Sequence, residues 1–464
     1  MKDDYSKIAD RHGVRLDSIR PESLGEKLEQ LRRVLDNKSV PHPISSQIGE
    51  AYFRRASTGE PFSIGSLTSD SVELGEYANS QRYDEYSLGE HLSWACLIAD
   101  QQREKARYAC TEYRSGEQFF EIDAATIPDY YILNARIYQL TGWQLATVNM
   151  IIPAQLFFTC HSKKFFPVTT FMRPLEQDYL EEPDIGHDVA GHVATFTIPT
   201  VARLMQNHGL ARDAIYQQRD ERLLTAKDAT QAANISLRAD ELLLYAERIY
   251  WFTVEFGLVR EQNQTRAFGA GILSSPGETR YSIDSDEPNR ILFDPSNESE
   301  LMRLVTTDYL ISEYQKTYFV TEDFSLLDTL TPERIIAASE KAARLPHFSW
   351  REIVPGDRVL HAGRVALNVN EKYEQVLAGA PVDASAARCA LRNASLMQRP
   401  IDRLDNGCEL DLQSVWSTAL PDATEWIDRI TKARETDSRI QEMEHALEMR
   451  PLSFVSDYEP RAGG

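Results

Sequence analysis

The apolar residues of this chain recur mostly at every third or fourth position, which is the spacing of a helix that buries one face. This period prevails over residues 81–350, with strand-like exceptions at residues 165–172 and 280–283. The pattern therefore predicts a mainly α fold with small β elements.

Segments of different composition flank this helical region. Residues 1–80 are polar and rich in turn formers, apart from an amphipathic helix predicted to begin near Ser23. Loop signals follow at residues 57–61 and 66–71. Past residue 363 the composition shifts towards Ala, Ser, Asp and Arg. We therefore predict an N-terminal extension (residues 1–80), a central domain (residues 81–363) and a C-terminal extension (residues 364–464).

The C-terminal extension contains a further predicted helix at residues 425–449. Its apolar stripe includes Trp426, Ile430, Ile440 and Met443. A helix with such a stripe must bury it against something. The stripe can pack on the chain's own domain or join two copies in a homo-oligomer, and the pattern does not decide between these.

The composition excludes several classes of partner. The chain has 464 residues and a net charge of −21, which disfavours nonspecific attraction to nucleic acid or to an anionic membrane. Its five cysteines are widely spaced and do not describe a disulfide framework, so a cytoplasmic location is expected. No apolar run approaches the roughly 20 residues of a spanning helix. A small-molecule partner is the natural expectation.

Two histidines and a glutamate form a candidate metal site. His187 and His192 are separated by five positions, and Glu255 follows in a later helical segment. On a regular helix, residues five apart diverge by roughly 140°. A metal can bridge the two imidazoles if His187 lies at or before the first turn, which Pro183 and Asp184 favour as helix-start residues. Two imidazoles and one carboxylate are the ligand set of non-haem Fe(II) oxygenases.

Two other interpretations of these residues stay open on spacing alone. The histidines can be structural groups that are held by hydrogen bonds. A zinc hydrolase is the other alternative, but its usual pattern has histidines four apart with a glutamate after the first. Here Asp188 follows His187 and the spacing is five.

Four blocks around these residues resemble the bacterial branch of the pterin-dependent aromatic amino acid hydroxylases. They are residues 166–173 (FPVTTFMR), 178–188 (DYLEEPDIGHD), 249–258 (IYWFTVEFGL) and 268–275 (FGAGILSS). Shorter matches extend the similarity, in the same order, over roughly residues 82–363. The resemblance implies that the central domain, residues 81–363, is an aromatic amino acid hydroxylase-like catalytic domain dependent on iron and pterin.

The resemblance also implies a role for each matched residue. His187, His192 and Glu255 would be the catalytic Fe(II) ligands. A tetrahydropterin, tetrahydrobiopterin or a related compound, would be bound by Ile152, Phe157, Asp188 and Tyr250. The aromatic amino acid would be bound by Arg173, Asp184, Trp251, Phe256, Gly271 and Ser274, with dioxygen and the reduced pterin as the other reactants.

The family resemblance favours phenylalanine as the substrate, because Trp251 and Ile311 are typical of phenylalanine-type pockets. Thr170, Gly186 and Ala190 are smaller than the residues usual in bacterial phenylalanine hydroxylases. Lost side-chain volume can admit a larger substrate or rotate a small one, so hydroxylation at the para or the meta position stays open. The alternatives are a tryptophan hydroxylase of the same family and a non-catalytic member that binds a ligand or partner.

Overall fold

The computed structural model of the protein describes residues 2–36, 54–55, 57–61, 74–149, 151–174, 183–311, 313–368, 371–379, 384–397 and 423–448. The chain forms two compact units. The first contains residues 1–210 and 264–283, and the second contains residues 211–263 and 284–464. Helices dominate both units, which confirms the predicted mainly α fold. Within the described ranges, no helix combines the length and the apolar character needed to cross a membrane.

The described helices are, in chain order, α1 (Lys2–His12), α2 (Leu24–Asp36), α3 (Leu88–Tyr108), α4 (Thr111–Phe120), α5 (Tyr130–Thr141), α6 (Ala154–Ser162), α7 (Ile185–His187), α8 (Pro199–Leu224), α9 (Ala229–Tyr250), α10 (Ala270–Leu273), α11 (Pro276–Asp284), α12 (Glu298–Val305), α13 (Pro332–Ala342), α14 (Glu371–Leu377), α15 (Ala384–Met397), α16 (Ala423–Thr436) and α17 (Ser438–Glu448). The strands are β1 (Gln144–Val148), β2 (Phe165–Thr169), β3 (Leu258–Glu261), β4 (Gln264–Ala267), β5 (Asn289–Phe293), β6 (Thr317–Thr321), β7 (Glu352–Ile353), β8 (Arg358–His361) and β9 (Leu367–Asn368).

Helix α3 is a long scaffold of the first unit. It begins with a capping box, in which the Ser87 side chain accepts from the Glu90 amide and the Glu90 carboxylate accepts from the Ser87 amide. This arrangement satisfies amide groups that a helix start otherwise leaves unpaired. Leu92 and Cys96 of α3 pack against Ala9 of α1, so the N-terminal extension is anchored on this scaffold.

Strands β1 and β2 pair in parallel and are buried along their whole length. Val148 and Phe165 of these strands share an apolar cluster with Ile152. Phe157 of α6 packs against the same cluster. Strand β2 ends at Thr169, shortly before the segment that carries the candidate metal ligands.

In the second unit, neighbouring strands follow the order β3, β6, β5, β8. The β3–β6 and β5–β6 pairs are parallel, whereas β5 and β8 are antiparallel. Helix α9 packs against α12 and α13 in this unit. The segment that continues α9 beyond Tyr250 carries Glu255.

The last described helices pack against their own chain. Ile430 of α16 and Ile440 of α17 are fully buried in a cluster with Tyr373 of α14, and Trp426 and Met443 pack against that cluster. Much of the apolar stripe predicted for residues 425–449 is therefore covered within the chain. That segment is two helices, because Asp437 interrupts it and its carboxylate accepts from the Arg439 amide at the start of α17.

One strand prediction is wrong. Residues 280–283 lie in helix α11, whose buried positions are Glu278, Thr279 and Ser282. This spacing is helical, but the buried residues are polar, so the apolar pattern did not reveal it. The helix predicted near Ser23 is confirmed as α2, with Leu31 fully buried. Residues 57 and 58 of the first predicted loop are helical, and the second predicted loop, residues 66–71, lies outside the described residues.

Candidate metal centre and active site

The segment that carries the two histidines begins with a capped helical turn. The Asp184 side chain accepts a hydrogen bond of 3.0 Å from the His187 amide and so caps α7. This confirms Asp184 as a helix-start residue and places His187 in the first turn. Pro183 lies one residue before the cap.

A π-turn then brings the two histidines together although they are five residues apart. Residues Asp188–His192 form one turn of π-helix, followed by a 3-10 helix at Val193–Thr197. A π-turn closes i to i+5 hydrogen bonds, so residues five apart lie roughly one above the other. The Nε2 atoms of His187 and His192 are consequently 3.3 Å apart. The divergence expected of a regular helix does not apply here.

Glu255 lies in a second π-turn. Residues Trp251–Glu255 continue α9 as π-helix, and the Phe256 amide donates to the Trp251 carbonyl at 2.8 Å. The Glu255 carboxylate is buried, with only 8% of the residue exposed. Such single π-turns inside helices are uncommon and occur frequently at functional sites.

The three predicted ligands form a compact donor set. One ligand atom from each of His187, His192 and Glu255 lies within 4.8 Å of the others. Two imidazole nitrogens and a carboxylate oxygen at this spacing suit a divalent transition metal, and a buried carboxylate gains from a neighbouring cation. The residues therefore fit the iron that the sequence resemblance implies.

Ser274 orients the first ligand. Its Oγ lies 3.1 Å from Nδ1 of His187 and donates to the Gly271 carbonyl at 3.0 Å. With Nδ1 occupied, Nε2 of His187 is the nitrogen directed at His192 and at a metal. Gly191 allows this approach, because a Cβ there would lie 2.8 Å from the Ala270 carbonyl oxygen and 3.1 Å from the Ser274 Cβ.

Arg173 and Asp184 form a bidentate ion pair. Both Nε and Nη2 of Arg173 donate to the Asp184 carboxylate at 2.7 Å, and the Arg173 amide donates to it at 3.0 Å. Asp184 is fully buried. Burial by itself raises the pKa of this carboxyl, but the Arg173 guanidinium and the amide hydrogen bonds outweigh it and lower the pKa overall. Asp184 is thus held as a carboxylate.

The residues predicted to bind pterin lie in different local environments. The Phe157 ring is half-buried, with its centroid 4.4 Å from that of His161. Asp188 accepts from the Thr169 amide at 2.7 Å and from its hydroxyl at 2.9 Å. Burial raises the pKa of Asp188 to about 7, against the lowering effect of these two bonds. Tyr250 is buried at the end of α9.

Trp251 and Phe256 belong to an aromatic cluster in the second unit. The Trp251 ring lies 4.9 Å from Phe256 and 4.6 Å from Tyr309, centroid to centroid. The Tyr309 hydroxyl donates to the Glu247 carboxylate at 2.5 Å. Close aromatic pairs of this kind contribute roughly 0.5–1.5 kcal/mol beyond area burial, so the cluster holds the Trp251 ring in place.

One of the positions that are small for a bacterial phenylalanine hydroxylase, Gly186, is filled by a neighbour. A Cβ at Gly186 would lie 2.3 Å from Cδ2 of Leu97, so Leu97 occupies the space of a larger side chain. Thr170 accepts from Nδ2 of Asn79 at 2.6 Å, and its carbonyl accepts from the Tyr86 hydroxyl at 2.7 Å. At Gly186 the lost volume is therefore compensated in the packing around the site.

Three supporting residues were not identified from the sequence. Gln101 of α3 donates to the Ser274 carbonyl at 2.8 Å, and Thr169 holds Asp188. Lys105, also on α3, donates to the Ala190 carbonyl within the π-turn. The available signal was the presence of Gln101 and Lys105, four residues apart, on the buried face of α3.

The family profile described as biopterin-dependent aromatic amino acid hydroxylase matches residues 76–227 and 235–330, more than half of the chain. The phenylalanine-4-hydroxylase of Chromobacterium violaceum is 34% identical over 295 residues, which cover 63% of this chain and 90% of that protein. The Pseudomonas aeruginosa phenylalanine-4-hydroxylase is 37% identical over 261 residues, 56% of this chain and 88% of its own. Rat tyrosine 3-monooxygenase is 29% identical over 246 residues, 52% and 43% of the two chains.

Solved structures give the same result. The Chromobacterium violaceum phenylalanine hydroxylase with bound iron(III) and oxidised 7,8-dihydrobiopterin superposes with a TM-score of 0.52 at 34% identity, covering 62% of this chain and 95% of that one. These matches overturn the zinc hydrolase interpretation and agree with the donor set of His187, His192 and Glu255. The chain belongs to the biopterin-dependent aromatic amino acid hydroxylases.

Proposed function

We propose that the protein hydroxylates the ring of free L-phenylalanine at the para position, with Fe(II), a tetrahydropterin and dioxygen. The observation that carries this proposal is the convergence of His187, His192 and Glu255 ligand atoms within 4.8 Å. The names of the relatives support the substrate and the position, because the matching proteins of Chromobacterium violaceum and Pseudomonas aeruginosa are phenylalanine-4-hydroxylases. The compensation of Gly186 by Leu97 also supports a pocket of ordinary size.

His187, His192 and Glu255 would hold the iron. When bound, the iron and the reduced pterin supply the electrons that activate dioxygen. Ser274 keeps Nδ1 of His187 engaged, so that Nε2 stays available for the metal. Glu255 and His192 are buried, and burial strengthens the electrostatic interactions that these two groups make.

Arg173 would bind the substrate carboxylate. Its guanidinium plane is fixed by the bidentate bond to Asp184, which orients further N–H groups of the same plane. Asp184 would support the amino-group end of the substrate site. Trp251, Phe256 and Gly271 would border the aromatic ring, and the contact of Trp251 with Tyr309 supports a rigid ring pocket.

The pterin would stack on Phe157, with Ile152 beside it. Phe157 is suited to this role, because its half-buried ring is backed by His161 and by the cluster that contains Ile152. Tyr250 would lie beside the pterin and the iron. Asp188 would contact the pterin through water, and the Thr169 hydrogen bonds hold its carboxyl in one orientation.

The decisive experiment is reconstitution with Fe(II) under anaerobic conditions, followed by oxygen, tetrahydropterin and phenylalanine, tryptophan or tyrosine. We expect phenylalanine-dependent oxidation of the pterin with tyrosine as the product, identified by mass spectrometry and NMR. A 3-hydroxylated product would show that phenylalanine is hydroxylated at the meta and not the para position. Turnover of tryptophan alone would show that tryptophan, and not phenylalanine, is the substrate. No pterin oxidation with any amino acid would favour the non-catalytic interpretation and reject the proposal.

A ligand variant and a matched carboxylate variant complete the test. Glu255→Gln should lower turnover by more than about 100-fold, because losses in groups that merely support a metal ligand already cost 10–100-fold. Its iron content, measured after desalting, should fall with the activity. Glu261→Gln, six residues further along in β3, should retain both.

Two expectations about the setting of the enzyme also remain proposals. A cytoplasmic location is supported by Cys96 and Cys389, which are buried free cysteines. A homo-oligomer formed through the C-terminal helices has less support, because Ile430 and Ile440 are already buried within the chain. Light scattering of the purified protein measures the oligomeric state directly.

A further inference from the structure

Lys105 is an almost fully buried cation close to the metal ligands. Its side chain is 2% exposed, and its Nζ donates to the Glu117 carboxylate at 2.8 Å and to the Ala190 carbonyl at 2.7 Å. Burial lowers the pKa of this amine, and the neighbouring Glu117 carboxylate offsets only part of that effect. Burying an ammonium group is costly, so packing alone would be served better by an apolar side chain.

Tyr113 contacts the same stretch of backbone. Its hydroxyl lies 2.5 Å from the Ala190 carbonyl oxygen and 3.1 Å from that of Gly191. Tyr113 is fully buried in α4, and its ring centroid lies 5.1 Å from Nζ of Lys105. Two side chains from two helices therefore converge on two successive carbonyl groups.

These carbonyl groups lie where the backbone changes from a π-turn to a 3-10 helix. Such a change interrupts the regular ladder of i to i+4 hydrogen bonds, and buried carbonyl groups in it require donors from elsewhere. Ala190 and Gly191 stand directly before His192. A shift of these two peptide units would therefore turn the His192 imidazole away from that of His187.

We propose that Lys105 is a positioning residue for the iron site: with Tyr113 it holds the Ala190–Gly191 backbone in the π-turn and thereby keeps His192 opposite His187. This inference rests on the proposed function, which assigns both histidines to iron. Lys105 is not one of the three candidate metal ligands. It acts through the Ala190 carbonyl group and lies far from His187 and His192 in the sequence.

The test measures the affinity for Co(II), which is monitored by the visible absorption of the bound ion. Near-ultraviolet circular dichroism is recorded on the metal-free protein. Lys105→Met removes the donor and keeps the side-chain length. We expect it to raise the Kd for Co(II) by about tenfold, the scale on which groups that support metal ligands act. Lys105→Met combined with Glu117→Gln, which also neutralises the carboxylate left behind, should show the same loss.

The matched control is Lys372, another fully buried lysine that donates to a carboxylate, Glu352 at 2.9 Å, and to a backbone carbonyl, His347 at 3.0 Å. Lys372→Met combined with Glu352→Gln should lower the melting temperature and leave the Kd for Co(II) unchanged. A general effect of losing a buried lysine would instead weaken binding in both double variants, which would overturn the positioning role.

Tyr113→Phe keeps the ring and removes only the hydroxyl, so it tests the inference if the Lys105 variants do not fold. It should raise the Kd for Co(II) severalfold. Folded Lys105 or Tyr113 variants that bind Co(II) as tightly as the wild type overturn the inference but leave the proposed function intact. A wild-type protein that binds no Co(II) instead refutes the iron site itself.

Discussion

Asp184 connects Arg173, the residue proposed to bind the substrate carboxylate, with the segment that carries the two histidines. Its carboxylate caps α7 through the His187 amide and also accepts two side-chain hydrogen bonds from Arg173. The orientation of Arg173 and the start of the histidine segment therefore depend on the same buried group. A substitution of Asp184 or Arg173 should therefore also affect the geometry of the other residue.

Arg173→Lys tests the proposed binding of the substrate carboxylate. Lysine retains the charge but cannot form the bidentate fork, either with Asp184 or with a carboxylate of the substrate. We expect the KM for phenylalanine to rise by about 10- to 100-fold, since a hydrogen bond to a charged group contributes about 1.5–3 kcal/mol. The kcat at saturating phenylalanine should change much less.

The control for this prediction is Arg103→Lys. Arg103 is an exposed partner of Asp100 on α3, and exposed pairs contribute little. Steady-state kinetics should be indistinguishable from those of the wild type. If Arg173→Lys lowers kcat while KM stays constant, Arg173 acts on the chemical step and its assignment to ground-state binding is wrong.

At the scale of elements, two π-turns and the short helix α10 define the site. Gly191 lies in the first π-turn and touches α10, where a Cβ would come within 2.8 Å of the Ala270 carbonyl oxygen. Both neighbours of this position are backbone or close to it, so they cannot swing aside as a flexible side chain would. The distance between the π-turn and α10 is therefore set by the absence of a side chain at Gly191.

Gly191→Ala should separate these elements. We expect a loss of stability of about 1–3 kcal/mol from overpacking and a weaker contact between Ser274 and His187. Differential scanning calorimetry and Co(II) titration measure the two effects. Gly25→Ala in helix α2 is the control, because a Cβ there would meet only Ser23 Oγ at 4.0 Å. It should be neutral or slightly stabilising, and an equal loss in both variants would contradict the proposed packing.

The same elements show what the sequence could and could not predict. The helical character followed from periodicity. Residue types indicated a candidate metal site, and the family resemblance assigned its three residues to iron. The proximity of His187 to His192 did not follow from periodicity, because the i+5 closure of a π-turn leaves no mark in a pattern of apolar residues. Lys105 was missed for a related reason: the group that it contacts in the π-turn is the Ala190 carbonyl, and every residue carries a carbonyl group. Helix α11 was mistaken for a strand because its buried face is polar.

At the scale of the whole molecule, helices α14 and α15 are held within the second unit by buried polar contacts. Nζ of Lys372 pairs with Glu352, and the Asn393 side chain binds both the amide and the carbonyl of His347. His347 also lies 3.2 Å from the Tyr245 hydroxyl. Lys372 of α14 and Asn393 of α15 are thus part of the packing of this unit.

Burial, with a further contribution from the cations Arg392 and Arg248, holds the pKa of His347 well below its ordinary value of 6.5. The folded state therefore resists a proton that the unfolded chain accepts. Stability is fully present above pH 6.5 and falls as the pH is lowered below it, by about 1.4 kcal/mol per pH unit for one such group.

His347→Gln should remove this acid sensitivity. The free energy of unfolding, measured with urea from pH 8 to pH 5, should differ between variant and wild type by a constant amount above pH 7. Below pH 6.5 the wild type should lose stability faster, so that the gap narrows. Two curves that remain parallel down to pH 5 would show that His347 does not contribute to acid unfolding.

The π-turn between the two histidines also makes the site sensitive to the deletion of a single codon. An i to i+5 turn is an α-helical turn with one surplus residue. Deleting a single codon between His187 and His192 would leave the histidines four positions apart, on one face of an ordinary helix. The backbone would be more regular, yet it would no longer place His187 against Ser274 and the Ala190 carbonyl against Lys105 as the present turn does. The site therefore depends on the number of codons between the two histidines as much as on the codons of the ligands themselves.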